Sequence, residues 1–287
     1  MINYFFIHPS CIDCPTELFC PSDVLRRLRR WVCGFALVSV GCAHAQTGNV
    51  DFARLTWPEV AAAVRSGTDT IIIPIGGTEQ SGPYIAVGKH NVRAEALARR
   101  IAQGVGHTLV APVVAYVPEG GTNPRTSHMR FPGTISIPPA AFTGLLEGAA
   151  ESFHVQGFRR VVFLGDHGGY LSYLKAVTAH LNHEWHGSGQ AIFLGAYYDV
   201  IGTQYAAALR ARGLGAAVGK HADVSDTSLM LAVDPSMVRE DALRHAALPN
   251  AAQGVYGGDP RPATAELGRI GTNMQVQAAI DALKGTR

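Results

Sequence analysis

The chain has 287 residues, 47% hydrophobic and 16% charged, with a formal net charge of +2 when histidine is neutral. That is too apolar for intrinsic disorder and too weakly basic to give an electrostatic reason for nucleic-acid binding. The length allows one or two domains, and one large α/β domain is the simpler expectation.

All five cysteines fall early, at Cys11, Cys14, Cys20, Cys33 and Cys42. Arg26, Arg27, Arg29 and Arg30 precede an apolar run, Trp31 to Ala43, and Ala43-His44-Ala45 gives a small-x-small pattern before Gln46. This is the order of a secretory signal peptide, and the run falls short of the roughly 20 residues a bilayer span needs. A membrane anchor is the first alternative. A lipoprotein at Cys42 is the second, weakened by the poor lipobox of Ser39 and Val40. Residues 1–23 are odd ahead of a leader and read as an upstream extension, so Cys11-x-x-Cys14 carries little weight as a redox or zinc motif. The expected layout is residues 1–45 as extension plus signal peptide and residues 46–287 as a cysteine-free domain. That domain is expected to be periplasmic or secreted, with no stable membrane anchor.

Thr56 opens a short helix over residues 56–66 with Pro58 in its first turn. Thr70 to Ile75, TIIIPI, is a strand running into Gly76-Gly77. Asn91 to Ile101 has helical spacing, and His107 to Val114 reads as a second strand. Residues 115–135 are loop-like, and Pro138 to His154 is an amphipathic helix. Arg160 to Gly165, RVVFLG, is a third strand with the composition of a buried parallel sheet. A helix follows from about Ser172 to Leu181, then a fourth strand, Ala191 to Tyr198. Helices are expected over Gln204–Arg212 and from Asp226 to Ala232, with mixed helix and turn over 233–249. A loop covers Asn250 to Ala265, and Asn273 to Leu283 is a terminal helix. The alternation predicts a single-domain layered α/β fold, a mostly parallel sheet flanked by helices. Neither glycine pair has the spacing of a phosphate-binding loop.

The informative polar residues follow the apolar strands, where open α/β sheets bind ligands. Glu79 and His90 follow the first strand, His167 follows the third, and His221, Asp223 and Asp226 sit in HADVSDTS. Imidazole and carboxylate together suit Zn²⁺ and accept Mn²⁺ or Fe²⁺. The same residues also fit plain structural roles, Asp226 as a helix cap and His167 as a turn residue.

Four ordered segments carry a resemblance. Pro74 to Gly88, PIGGTEQSGPYIAVG, resembles P-x-G-[ST]-x-E-Q-H-G-P-H-L-P-L-G of the creatininase (creatinine amidohydrolase) family. Phe131 to Ser136 matches its FPGTIS run. Gly165 to Gly169, GDHGG, resembles N-G-H-G-G-N, and His221 to Met230, HADVSDTSLM, resembles H-A-G-x-x-E-T-S-x-M. The resemblance implies a creatininase-like fold, a metal-dependent hydrolase and a homo-oligomer, often a hexamer. It places Glu79 and His167 on retained metal ligands and Asp226 on a shortened carboxylate ligand. His90 falls on the Asp that bridges two metals and Ser81 on a metal-binding His. Tyr84 and Tyr170 replace a motif His and Asn. His221 matches a motif His suited to a proton shuttle, and His128 a pocket His.

An imidazole offers one lone pair to one ion, so loss of the bridging carboxylate predicts one metal per subunit. The expected ligands are Glu79, His90, His167 and Asp226. A catalytic zinc commonly keeps three, which makes Asp226 the first to set aside. His221 and Asp223 are expected to move protons, and Gly168 or Gly169 to hold an oxyanion. Ser81, Tyr84, His128 and Tyr170 are expected in the substrate pocket. The implied activity is hydrolysis of the C–N bond of a small amide, cyclic ones included, by metal-activated water. Competing readings are a lactone or ester hydrolase, a periplasmic binding protein without turnover, and a decayed site.

Overall fold

The structure is a computed structural model that describes residues 49–286; the extension, the expected leader and all five cysteines lie outside the described residues. In chain order the helices are α1 (Trp57–Arg65), α2 (Lys89–Val105), α3 (Pro139–Val155), α4 (Leu171–Glu184), α5 (Gly195–Val200), α6 (Ala206–Ala211), α7 (Val224–Val233), α8 (Glu240–Arg244) and α9 (Ala265–Gly285). The strands are β1 (Thr70–Ile75), β2 (Thr108–Val110), β3 (Arg160–Gly165) and β4 (Gln190–Phe193), in one sheet of order β2-β1-β3-β4. Every pairing is parallel. The expected single layered α/β domain is thus present.

β1 and β3 are buried at all positions. A strand covered on both faces has no polar alternation, which is why both read as unbroken apolar runs. Ile71, Ile73 and Ile75 pack on one face with Phe142, Leu146, Leu174 and Val177 of α3 and α4. Ile72 packs on the other with Leu97 and Ile101 of α2 and Ala279 and Leu283 of α9.

Two strands are shorter than expected. The ladder of β2 stops at Val110, opposite Ile72. Pro74 and Pro112 both lack the N–H that would extend it, and Val114 N rejoins only at the Pro74 carbonyl, 2.9 Å away. β4 stops at Phe193 because Gly195 begins α5, whose Tyr197 turns into the core.

From β1 the chain crosses to β2 on one side; from β3 it crosses to β4 on the other. The carboxyl ends of β1 and β3 therefore flank the point where the winding reverses, where ligands bind in open sheets. Tyr170 fixes that point. Its hydroxyl lies 2.6 Å from the carbonyls of Ile75 and Gly76 and accepts from the N–H groups of Asp166 and His167 at 3.1 Å.

Candidate metal centre

Beyond β1 the chain turns sharply at Gly76 and Gly77. Gly77 has φ +143°, and a side chain there would press on Glu119 Oε1 at 2.8 Å. The turn delivers Glu79, which is fully buried. Beyond β3, His167 opens a short 3₁₀ turn, Gly168–Tyr170. The segment between β2 and α3 brings Glu119 and His128 over the same point. One ligand atom from each of Glu79, Glu119, His128 and His167 lies within 4.8 Å of all the others.

These four face each other without hydrogen-bond geometry. His128 Nε2 is 3.2 Å and His167 Nε2 3.5 Å from Glu79 Oε2, and His167 Nδ1 is 3.3 Å from Glu119 Oε1. Glu79 Oε2, both Glu119 oxygens and His167 Nδ1 are buried with no hydrogen-bond partner. Buried polar atoms are almost always paired, so four orphans aimed at one point mark a place for a cation. Burial and the charge of Glu79 push Glu119 up to about 9. Burial drives His167 down to about 4 and lowers His128, which leaves both imidazoles neutral, the form that ligates. The donor set, imidazole and carboxylate, fits a divalent ion such as zinc or manganese.

Of the expected ligands, the structure brings Glu79 and His167 together here and sets His90 and Asp226 apart. His90 spends both ring nitrogens on carboxylates, Nδ1 at 2.7 Å from Asp166 and Nε2 at 2.8 Å from Glu79. Asp226 accepts from Lys89 Nζ at 2.8 Å, Arg93 Nη1 at 3.3 Å and Ala222 N at 2.9 Å. Burial opposes its charge, but Lys89 and Arg93 hold Asp226 well below the usual range. Asp166, fully buried, is likewise held down against burial by Arg93 and His90. Lys89 Nζ also lies 3.6 Å from Glu79 Oε1. His90 and Asp226 thus belong to an ion-paired floor beneath the metal-ready group.

The remaining expected residues divide. Asp223 caps α7, accepting from Asp226 N at 3.0 Å and Gly219 N at 2.6 Å, the cap role that the sequence suggested for Asp226. These bonds occupy both oxygens, although the residue borders a cleft. His221 Nε2 lies 2.9 Å from the Gln80 carbonyl, and its Nδ1 is 3.6 Å from Glu79 Oε1. Burial and the Lys89 charge drive its ring down to about 3. Tyr170 is fully buried as the strand pin and lines neither cleft beside the centre. Ser81 is 1% exposed and Tyr84 packs against the Ile85–Met230 cluster, so neither reaches the clefts beside the centre. Gly168 and Gly169 do reach them, one on each side.

Glu119, Gln80, Lys89 and Arg93 were not anticipated. Glu119 lay in a stretch read only as loop; its signal was a lone acid between Val117-Pro118 and two glycines. Lys89 and Arg93 bracket His90 at −1 and +3, on one face of the first turn of α2. The Gln80 amide nitrogen lies 3.0 Å from His128 Nδ1 and 3.2 Å from His221 Nε2, so one side chain orients both rings.

The family model described as creatinine amidohydrolase matches residues 53–283. A mycofactocin precursor peptide peptidase of Mycolicibacterium smegmatis is 34% identical over 124 residues, 42% of this chain and 47% of that protein. A creatinine amidohydrolase of Pseudomonas putida is 30% identical over 119 residues, 40% and 43% respectively. The chain thus spans somewhat under half the length of these curated relatives. Among solved structures, a manganese form of creatininase superposes with TM-score 0.70 at 25% identity, covering 83% of this chain and 99% of that one.

Proposed function

The chain belongs to the creatininase family, and on that premise we propose that it is a metal-dependent hydrolase of the C–N bond of a non-peptide or cyclic small amide. The observation that carries this reading is the convergence of Glu79, Glu119, His128 and His167, with four orphaned polar atoms, at the reversal point of the sheet. One divalent ion per subunit, zinc for preference, would be held by Glu79, His128 and His167, leaving room for water. When bound, such an ion supplies an activated water and polarises the amide carbonyl.

The chain's own groups do the rest. Glu119 has both oxygens unpartnered beside His167, and a cation held by Glu79, His128 and His167 would offset the Glu79 charge that raises it, leaving an ionised carboxylate to take a proton from water. His221, which borders the second cleft, would relay a proton to the leaving nitrogen. The backbone N–H groups of Gly168 and Gly169, which line one cleft each, would hold the negative charge that develops on the carbonyl oxygen.

The test is turnover of an amide panel by purified protein. Chelation should abolish it and zinc or manganese restore it. Glu119→Gln should keep its metal while kcat falls about 10²–10⁴-fold. Lactones cleaved in preference to amides would transfer the same machinery to ester chemistry, and metal-dependent ligand binding without turnover would make it a binding protein.

The reading extends to location and assembly. Export rests on the arginine-apolar-small order before Gln46 and the confinement of cysteine to the first 42 residues. Among the described residues no helix is long and apolar enough to cross a membrane. Assembly as a homo-oligomer, with a hexamer as the form to test by light scattering, rests on the family alone.

A further inference from the structure

Two clefts open beside the metal-ready group, of about 630 Å³ and 490 Å³, and both are lined by His128 and His167. The centre therefore stands at their junction. A substrate whose reacting bond sits there has room for a limb on each side.

The two sides differ in chemistry. The larger cleft is walled by Ile137, Pro138, Pro139 and Tyr173, and its lining contains no lysine or arginine. The smaller is lined by Arg93, Arg210 and Lys220 among others. Its lining also carries the carboxylates of Asp166, Asp223 and Asp226, each already engaged. Arg93 serves Asp166 and Asp226, Lys89 serves Asp226, and Asp223 is held by N–H groups and the Ser225 hydroxyl. Arg210 and Lys220 are exposed on its wall, and neither ion-pairs with a carboxylate among the described residues. Arg210 and Lys220 are the cations of the two linings left without a carboxylate partner, and both lie on one side of the centre.

We propose that the substrate is a linear amide lying across both clefts, its neutral, apolar acyl limb in the larger and its carboxylate-bearing amine limb in the smaller, where Arg210 and Lys220 read the anion. This rests on the amidohydrolase reading and narrows it: a compact cyclic amide fills neither limb. The reaction adds water across the amide, the hydroxyl going to the acyl carbon and the proton to the leaving nitrogen, which releases a carboxylic acid and an amino acid.

Matched probes decide it. N-benzoylglycine carries the carboxylate and an aromatic acyl limb, whereas N-benzoylglycinamide is its neutral twin. Calorimetry on zinc-loaded protein should show at least tenfold tighter binding of N-benzoylglycine. In the double variant Arg210→Gln, Lys220→Gln that gap should close, through weaker binding of the anion. Equal affinities in the unaltered protein, no binding of either probe, or a gap that survives in the double variant would overturn the proposal; a surviving gap would mean that the carboxylate goes to the metal. Benzoate release measured alongside separates the two readings. Anion preference without release rejects the amidohydrolase and keeps the anion-reading pair. Release without preference keeps the amidohydrolase and rejects the pair.

Discussion

Glu119 is 3% exposed, with both oxygens unpartnered, and is pushed up to about 9 by burial and by Glu79. A carboxyl raised in the fold binds its proton more tightly folded than unfolded. Between its ordinary value and about 9 the native state holds more protons, so stability falls as pH rises. His167 and His221, driven down to about 4 and about 3, act in the opposite sense: the unfolded chain takes up their protons first, so stability falls as pH drops below the ordinary histidine range. The two trends overlap in mild acid, and only the Glu119 trend remains above neutrality. Metal-free protein should therefore lose about 1 kcal/mol per pH unit from pH 7 towards 9, the worth of one proton. Urea midpoints across that range should flatten in Glu119→Gln and in the metal-loaded protein, where a cation compensates the charge. A slope that persists in Glu119→Gln would assign the orphaned carboxyl no such role.

At the level of elements, legibility followed burial and periodicity. β1 and β3 were readable because both faces are covered, and α1 because Thr56 and Glu59 form a capping box. The apolar run after Gln190 was ambiguous, since a short buried strand and a buried helical turn share a composition. α9 begins at Ala265, ahead of the expected Asn273, and the unassigned stretch between them holds Gly268 and Gly271. Both lie inside the helix, Gly268 against the Ser228 backbone and Gly271 against Leu229 and Tyr205. Their work is to let α9 lie close on α7. Two effects compete in Gly268→Ala. Helix propensity favours alanine by about 1 kcal/mol. The new methyl would meet the Ser228 carbonyl, a backbone atom that cannot swing away, and such overpacking costs about 1–3 kcal/mol. Alanine here should lower the urea midpoint; a raised midpoint would show that the two helices can separate freely.

Across the whole molecule, the centre joins segments far apart in sequence: Glu79 after β1, Glu119 and His128 between β2 and α3, and His167 after β3. Glu79 and His167, which the resemblance marked as ligands and which follow readable strands, are the two expected ligands that stand in this group. Sequence reasoning named His90 and Asp226 as the other ligands, gave His128 to the substrate pocket and passed over Glu119, because the difference depends on which side chains already have partners. His90 and Asp226 are occupied by Asp166, Lys89 and Arg93, facts of packing that no spacing reveals. The 118–130 segment is tied to the rest partly by Thr134, whose hydroxyl accepts from Gln80 N and donates to the His128 carbonyl. An ion adds a tie from that segment to both central strands. An ion at a hundredfold excess over its Kd stabilises the fold by about 2.7 kcal/mol. Zinc should therefore slow amide hydrogen exchange most over residues 118–130 and 165–170, with little change in α1 or in the amides of α4 beyond its first turn. His128→Ala should keep the slowing at 165–170 and lose it over 118–130, since Glu79 and His167 still hold the ion while the loop has lost its ligand. Uniform slowing in that variant, or none in either protein, would mean that the ion, if bound, does not join these segments.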